Sequence, residues 1–496
     1  MLRKIRVSLA VIFWLALTLL FLDFSGAVHG WIGWLAKIQF LPAVLALNVG
    51  VIVFLAALTF VFGRVYCSII CPLGVMQDIF AWFGKKAKKN RYTYSHEKKV
   101  LRYSILVVFI AAILAGFTAI ASIIAPYSMY GRIAQNIFAP VWQWGNNLLA
   151  LWAERLNSYA FYETDVWLKS LPVFLIAVLS LIVIAVLAWR GGRTYCNTVC
   201  PVGSVLGVLA KYSLLRPVID TSKCVNCKQC SRNCKASCID LSSHKIDYSR
   251  CVSCMDCIDS CHKKAISYTM RNRQLNALTK QSGEDKNAIN RRSFLSLATL
   301  FVTGSLISAK EKTVDGGLAV IADKKIPKRK TPIVPPGALS LNNLRQHCTG
   351  CQLCVSVCPN QVLRPSSDMS AIMQPESSYE RGYCRPECTK CSNVCPAGAI
   401  RPIDVAEKSS IQIGYAVWVK ENCIPMTSGD SCGLCARRCP TGAITMANYD
   451  ANDPDSPKVP FVNVEKCIGC GACENLCPAR PFSAIYVEGI EHHKYI

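Results

Sequence analysis

The sequence predicts a membrane α-helical protein carrying two small cysteine-rich α+β modules. Three observations lead there. Four long apolar runs fill the N-terminal part of a 496-residue chain that is 52% hydrophobic. Only 17% of residues are charged, against roughly 25% in an ordinary soluble domain, and mean hydropathy is +0.29. The 29 cysteines fall in regularly spaced groups rather than at random. This composition excludes a disordered or fibrous chain, and the length leaves room for about three or four structural units.

The runs are 7–24, 44–62, 106–125 and 171–189. Each is close to the length a helix needs to cross a ~30 Å hydrocarbon core. Core helices of a soluble protein are the alternative, but four runs with so few charges are hard to bury elsewhere. Cations orient such a bundle. Arg3, Lys4 and Arg6 precede the first run. Lys85, Lys86, Lys88, Lys89, Arg91, Lys98, Lys99 and Arg102 lie between the second and third, and Arg190, Arg193, Lys211 and Arg216 follow the fourth. The N-terminus, the 63–105 loop and the chain after Trp189 are therefore expected in the cytoplasm. Trp31, Trp34, Trp142, Trp144 and Trp167 suit the outer interface. The net charge of +24 is then a topology signal, and no nucleic-acid partner is expected.

A repeat marks the cytoplasmic ends of the second and fourth runs. Gly63, Arg64, Tyr66, Cys67, Cys71, Pro72 and Gly74 recur as Gly192, Arg193, Tyr195, Cys196, Cys200, Pro201 and Gly203. Two copies of a two-span hairpin would bring both motifs together. Cys67, Cys71, Cys196 and Cys200 are the candidate catalytic residues. The motif alone leaves two readings open: a further iron–sulfur cluster, or redox-active thiols without metal.

The first module follows. Cys224, Cys227, Cys230 and Cys234, then Cys251, Cys254, Cys257 and Cys261, have the bacterial two-cluster ferredoxin spacing. Three thiolates on a tight loop hold one cubane, and the fourth ligand comes from the other group. One cluster takes Cys224, Cys227, Cys230 and Cys261; the other takes Cys251, Cys254, Cys257 and Cys234. Zinc is the competing use of such pairs, disfavoured by eight cysteines in two runs. The customary proline after the fourth cysteine is missing, since Lys235 and His262 stand there. Cys238 is left over and is expected to be a buried thiol.

Beyond a polar stretch, Arg291, Arg292, Ser293, Phe294 and Leu295 open an apolar segment ending at Ala309. It looks like a twin-arginine export signal and reads as a fifth span. Residues 310–345, with clustered lysines and Pro332, Pro335 and Pro336, read as a linker.

The second module holds four more groups. They are Cys348, Cys351, Cys354 and Cys358; Cys384, Cys388, Cys391 and Cys395; Cys423, Cys432, Cys435 and Cys439; and Cys467, Cys470, Cys473 and Cys477. Each group ends in Cys-Pro. Six [4Fe-4S] clusters are expected in the two ferredoxin-like α+β modules, with all these cysteines as iron ligands. The expected units are 1–216, the four-helix transmembrane domain; 217–270, the cytoplasmic two-cluster module; 271–309, polar linker and fifth span; 310–345, linker; and 346–496, the extracytoplasmic four-cluster domain.

On these motifs, residues 1–270 resemble NapH, the membrane iron–sulfur protein of periplasmic nitrate reductase systems. Residues 290–496 resemble NapG and MauM, through the paired arginines, the stretch Pro335, Pro336, Gly337, Ala338 and the four cluster motifs. The chain is similar to a fusion of the two families, which ordinarily are separate subunits. The resemblance implies an inner-membrane quinol dehydrogenase component. It would take electrons from the membrane quinol pool and pass them to an extracytoplasmic reductase or carrier protein. It also implies that the first motif of the second module pairs with the fourth, and the second with the third. Cys477 would then complete the Cys348 group, Cys358 the Cys467 group, Cys439 the Cys384 group and Cys395 the Cys423 group. A maturation or redox-regulatory factor for an exported metalloenzyme is the alternative function. No histidine lies inside a proposed span to carry a haem. Crossing ~30 Å therefore needs either a mobile quinone or a motif site deeper than the repeat alone suggests.

Overall fold

The computed structural model describes residues 2–23, 26–87, 92–158, 161–271, 313–314, 319–320 and 323–496. The paired arginines and the proposed fifth span lie outside these residues.

Two helices, Leu2–Leu22 and Leu171–Gly191, are long and apolar enough to cross a membrane. The expectation of four unbroken spans is not met. The second run is divided into Phe40–Leu45 and Val49–Phe62. Leu47 adopts a left-handed conformation at the break, and Asn48 caps the new helix by accepting from the Val51 N–H at 3.3 Å. The third is divided into Lys99–Leu114 and Thr118–Ile124 at Gly116, whose φ is 81°. Apolar composition does not reveal such breaks: Gly116 takes positive φ without strain, while Leu47, where it costs about 1–2 kcal/mol, is as apolar as its neighbours.

A further helical segment escapes the sequence reading. Pro126–Ile133 continues through one π turn, Ala134–Phe138, into Ala139–Arg155. All eight residues of Pro126–Ile133 are buried. It packs between Leu171–Gly191 and Pro72–Lys86, where a polar outer loop was expected.

Each repeat motif folds alike. Gly63 and Gly192, both at positive φ, turn the chain out of a long helix. A short helix follows, Val65–Ile69 or Thr194–Thr198. Cys71 and Cys200 then take extended N-cap geometry before Pro72–Lys86 and Pro201–Ala210. Proline suits the first helical position because its missing N–H has no partner to lose there.

The first module pairs Leu215–Ile219 with Ile266–Met270, and Ile239–Asp240 with Lys245–Ile246, all antiparallel. The second module pairs Ile411–Trp418 with Ile485–Tyr495, Ile444–Asn448 with Lys458–Val462, and Leu363–Pro365 with Pro375–Ser377. The linker expected over 310–345 ends earlier than its composition suggests. Lys324 Nζ donates to the Glu474, Asn475 and Cys477 carbonyls, Arg329 pairs with Glu474, and Ile333, Val334 and Ala338 are buried in the second module.

The two modules dock at opposite ends of Leu2–Leu22. Arg3 and Arg6, at its start, bind Asp256 and Asp259 of the first module. Phe21, at its end, packs beside Gly131, where a Cβ would collide with the Cys351 carbonyl of the second module and with the Phe21 ring itself. A helix of 21 residues is about 31 Å long.

Candidate iron–sulfur centres

In the first module, Cys224, Cys227, Cys230 and Cys261 line one cavity of about 180 Å³. Cys234, Cys251, Cys254 and Cys257 line a second. The crossed sets expected from the spacing are thus brought together. The loops curl because residues on either side of the second cysteine are left-handed: Asn226 and Lys228, then Ser253 and Met255. The same device recurs at Gly350 and Gln352 and at Gly469 and Gly471. These four loops are the ones with the standard spacing. Such backbone is uncommon outside glycine and turns three thiols toward one side.

Lys235, standing where proline is customary, has a local role. Its Nζ lies 3.0 Å from Asp256 and 3.4 Å from Asp78, and its carbonyl accepts from the Arg193 N–H at 2.8 Å. Cys238 is buried as expected, with its Sγ 3.6 Å from that of Cys234.

The second module departs from the pairing that the resemblance implies. Cys358 lines a cavity with Cys384, Cys388 and Cys391, rather than with the Cys467 group. Cys395 neighbours Cys348, Cys351 and Cys354. Cys477 neighbours Cys423 and Cys435, while Cys439 neighbours Cys467 and Cys470. The first group therefore pairs with the second, and the third with the fourth. The cause is local. Each fourth cysteine follows a short helix, and those helices pack in consecutive pairs: Leu353–Ser356 on Lys390–Val394, and Leu434–Arg437 on Ala472–Leu476.

The donor sets fit iron–sulfur clusters. Thiols arranged around a central space suit a polynuclear group.

The repeat motifs do converge. Cys67, Cys71, Cys196 and Cys200 are 4–5% exposed and share one core cluster. The two halves exchange equivalent contacts. Arg64 donates to the Cys196 carbonyl at 3.1 Å, and Arg193 to the Cys67 carbonyl at 2.7 Å. Gly74 makes room for the Cys67 carbonyl and Arg193, and Gly203 for the Cys196 carbonyl and Arg64. A side chain at either position would collide with a carbonyl of its own motif and with the guanidinium reaching over from the other. Gln77 Nε2 lies 3.3 Å from Cys196 Sγ.

Asp78 anchors this centre to the first module. It receives Arg6 at 2.8 Å, Arg193 at 2.9 Å and Lys235 at 3.4 Å. Burial opposes its charge, but Arg193, Lys235 and Arg6 outweigh burial and hold the carboxyl well below the usual carboxylate range. Arg102, which sequence reasoning counted among the topology cations, is 1% exposed. It donates to the Gly203 carbonyl at 3.1 Å and the Ser249 carbonyl at 3.2 Å.

Comparison with known proteins agrees with this geometry. Residues 44–91 and 172–220, one around each repeat motif, match the family described as a 4Fe-4S binding domain. Residues 347–400 and 430–480 each match a 4Fe-4S dicluster domain, consistent with the consecutive pairing above. The methylamine utilization ferredoxin-type protein MauM of Methylobacillus flagellatus is 30% identical over 165 residues, 32% of this chain and 70% of that protein. The chain belongs to the MauM ferredoxin-type family. Ferredoxin-type protein NapG of Escherichia coli is 31% identical over 152 residues, 29% of this chain and 64% of NapG. Ferredoxin-type protein NapH of Haemophilus influenzae is 31% identical over 173 residues, 35% of this chain and 47% of NapH. No solved structure matches the chain. The chain thus combines a MauM-type region with a region similar to part of NapH, and its role is iron–sulfur electron transfer.

Proposed function

We propose that this chain is a membrane-bound quinol dehydrogenase component that passes electrons to an extracytoplasmic reductase or carrier protein. The observation that supports it most is the docking of two cluster-binding modules at opposite ends of one apolar bundle. In this reading the N-terminus and the first module face the cytoplasm, and the second module lies outside the inner membrane. Arg3, Arg6 and Lys235 gather at the end that the cation distribution assigns to the cytoplasm.

The six cysteine sets of the modules would each hold a [4Fe-4S] cluster, and the motif thiols a further centre. Such clusters supply reversible one-electron storage. The chain's own residues would hold the centres in place, burying the motif thiols while leaving Cys227 of the first module exposed. Arg64 approaches Cys67 Sγ, and Arg193 and Gln77 approach Cys196 Sγ, so side-chain donors face two of the four motif thiols.

Iron content of anaerobically purified protein should be at least about 24 atoms per chain by the cluster count. Iron near eight, with zinc present, would sink the assignment of the second module. Addition of a quinol analogue should reduce the clusters, followed by visible and electron paramagnetic resonance spectra. Clusters that assemble fully yet never accept electrons from quinol would favour the maturation or regulatory role.

A further inference from the structure

The motif centre lies inside the bundle, and the contacts around it lead continuously to both modules. Toward the first module there are two connections. Arg64 donates to the Ser249 carbonyl at 3.1 Å, two residues before Cys251, and its other nitrogen is 3.8 Å from Cys67 Sγ. The Arg193 N–H binds the Lys235 carbonyl at 2.8 Å, one residue after Cys234, while its guanidinium holds the Cys67 carbonyl.

Toward the second module, Tyr195 precedes Cys196 and its Oη donates to the Ile124 carbonyl at 2.5 Å. Arg132, fully buried, fixes that turn by donating to the Ser122 and Ile123 carbonyls at 3.0 and 3.1 Å. Ser122 Oγ then lies against Gly350, next to Cys351, such that a Cβ on Gly350 would be 3.3 Å away. One core cluster contains the four motif cysteines together with Val252 of the first module and Cys351 of the second, with Cys254 packed against it. Electron transfer through protein weakens steeply with each gap, and packed atoms and hydrogen bonds bridge better than empty space.

We infer that electrons cross the bundle within this chain, with the Cys67, Cys71, Cys196 and Cys200 centre as the midpoint. Arg64 and Arg193 form the leg to the first module. Tyr195, Ile124 and Ser122 form the leg to the second. No mobile carrier is needed for the crossing. Each transfer moves one electron and breaks no bond. At the first-module end a one-electron donor, dithionite in the test below, is oxidised, and at the second-module end the electron-accepting redox protein of the proposed function is reduced. The inference rests on the reading that these cysteines hold clusters, but not on quinol being the donor. Tyr195 and Arg132 are positioning residues in it.

The test uses the full chain in quinone-free lipid vesicles, oriented by protease access. Dithionite is confined to the first-module side, and the second-module clusters are read by electron paramagnetic resonance. These clusters should become reduced without quinone. Cys196→Ser should slow this by more than an order of magnitude with the iron of both modules retained. Tyr195→Leu should slow it less severely, and Tyr195→Phe less again. A second readout needs no turnover: spin relaxation of the Cys348-group cluster should be enhanced by the motif centre, and that enhancement should vanish in Cys196→Ser. Wild-type protein that transfers nothing until quinone is added would overturn the internal path, as would Cys196→Ser transferring at the wild-type rate. Quinol oxidation is assayed separately in detergent, so either conclusion can fail alone.

Discussion

The two modules are fastened to one bundle by different chemistry. The first is held by charge: Asp78 and Asp256 are shared among Arg3, Arg6, Arg193 and Lys235, most of them well buried. The second is held by neutral groups. Thr118 donates to the Arg345 carbonyl and to the Cys348 carbonyl, Asn136 to Gln352 at 2.8 Å and Trp167 to Gln361 at 2.6 Å. Its ion pair with the bundle, Arg381 with Asp165 at 3.8 Å, is largely exposed, and the Arg381 guanidinium also stands over the Trp167 ring at 4.5 Å. The difference suggests that the first interface depends on completing a charge network, and the second on close fit.

Asp78→Ala should separate the two interfaces most sharply. It leaves buried cations without their partner, at about 3–5 kcal/mol. The first module should detach, seen as earlier protease release and earlier thermal bleaching of its clusters, while the second stays docked. Because the Asp78 carboxyl is held below its unfolded value, its contribution is present at neutral pH. That contribution is lost progressively as pH falls below the ordinary carboxylate value and on through the depressed folded one. First-module release well above the usual carboxylate range would contradict this.

Gly131→Val reverses the pattern. Its side chain would strike the Cys351 carbonyl and the Phe21 ring, costing about 1–3 kcal/mol of overpacking. Solvent accessibility of an engineered label near Gln352 should rise, with the first module unaffected. Asn136→Ala removes two buried hydrogen bonds, one to the Arg132 carbonyl within the bundle and one to Gln352 Oε1 of the second module. We expect a loss of about 1–3 kcal/mol in second-module docking, read by the same label. The smallest effect belongs to Asp165→Ala, at most about 1 kcal/mol and erased by added salt. A large, salt-independent loss there would mean that the second interface is electrostatic after all.

The sequence carried the ligand groups well, because Cys-x2-Cys spacing reports directly on loop geometry. It carried the convergence of the repeat motifs for a similar reason: matched Arg, Cys, Pro and Gly positions need a common partner. It failed where long-range packing decides. Arg102 reads as a loop cation, yet it is buried between Gly203 and Ser249. Pro126–Ile133 reads as an outer loop because Arg132 and its polar neighbours look exposed in one dimension. The second-module pairing followed the resemblance and missed a local signal, since adjacent groups already pair within the first module. The wide gaps before Cys388 and Cys432 fall in loops without the paired left-handed residues, so spacing alone was least informative there.

Joining both modules to one chain also changes what the second interface must achieve. A tethered domain meets its docking site at an effective concentration on the order of millimolar for a short flexible tether, and somewhat less for a longer one. Contacts such as Asn136 with Gln352 and Trp167 with Gln361 need only modest intrinsic affinity to stay engaged. Cut into two polypeptides, the same surfaces would have to find each other by diffusion, and their occupancy would fall on dilution. In the intact chain, occupancy is independent of protein concentration, and every bundle carries one second module of its own.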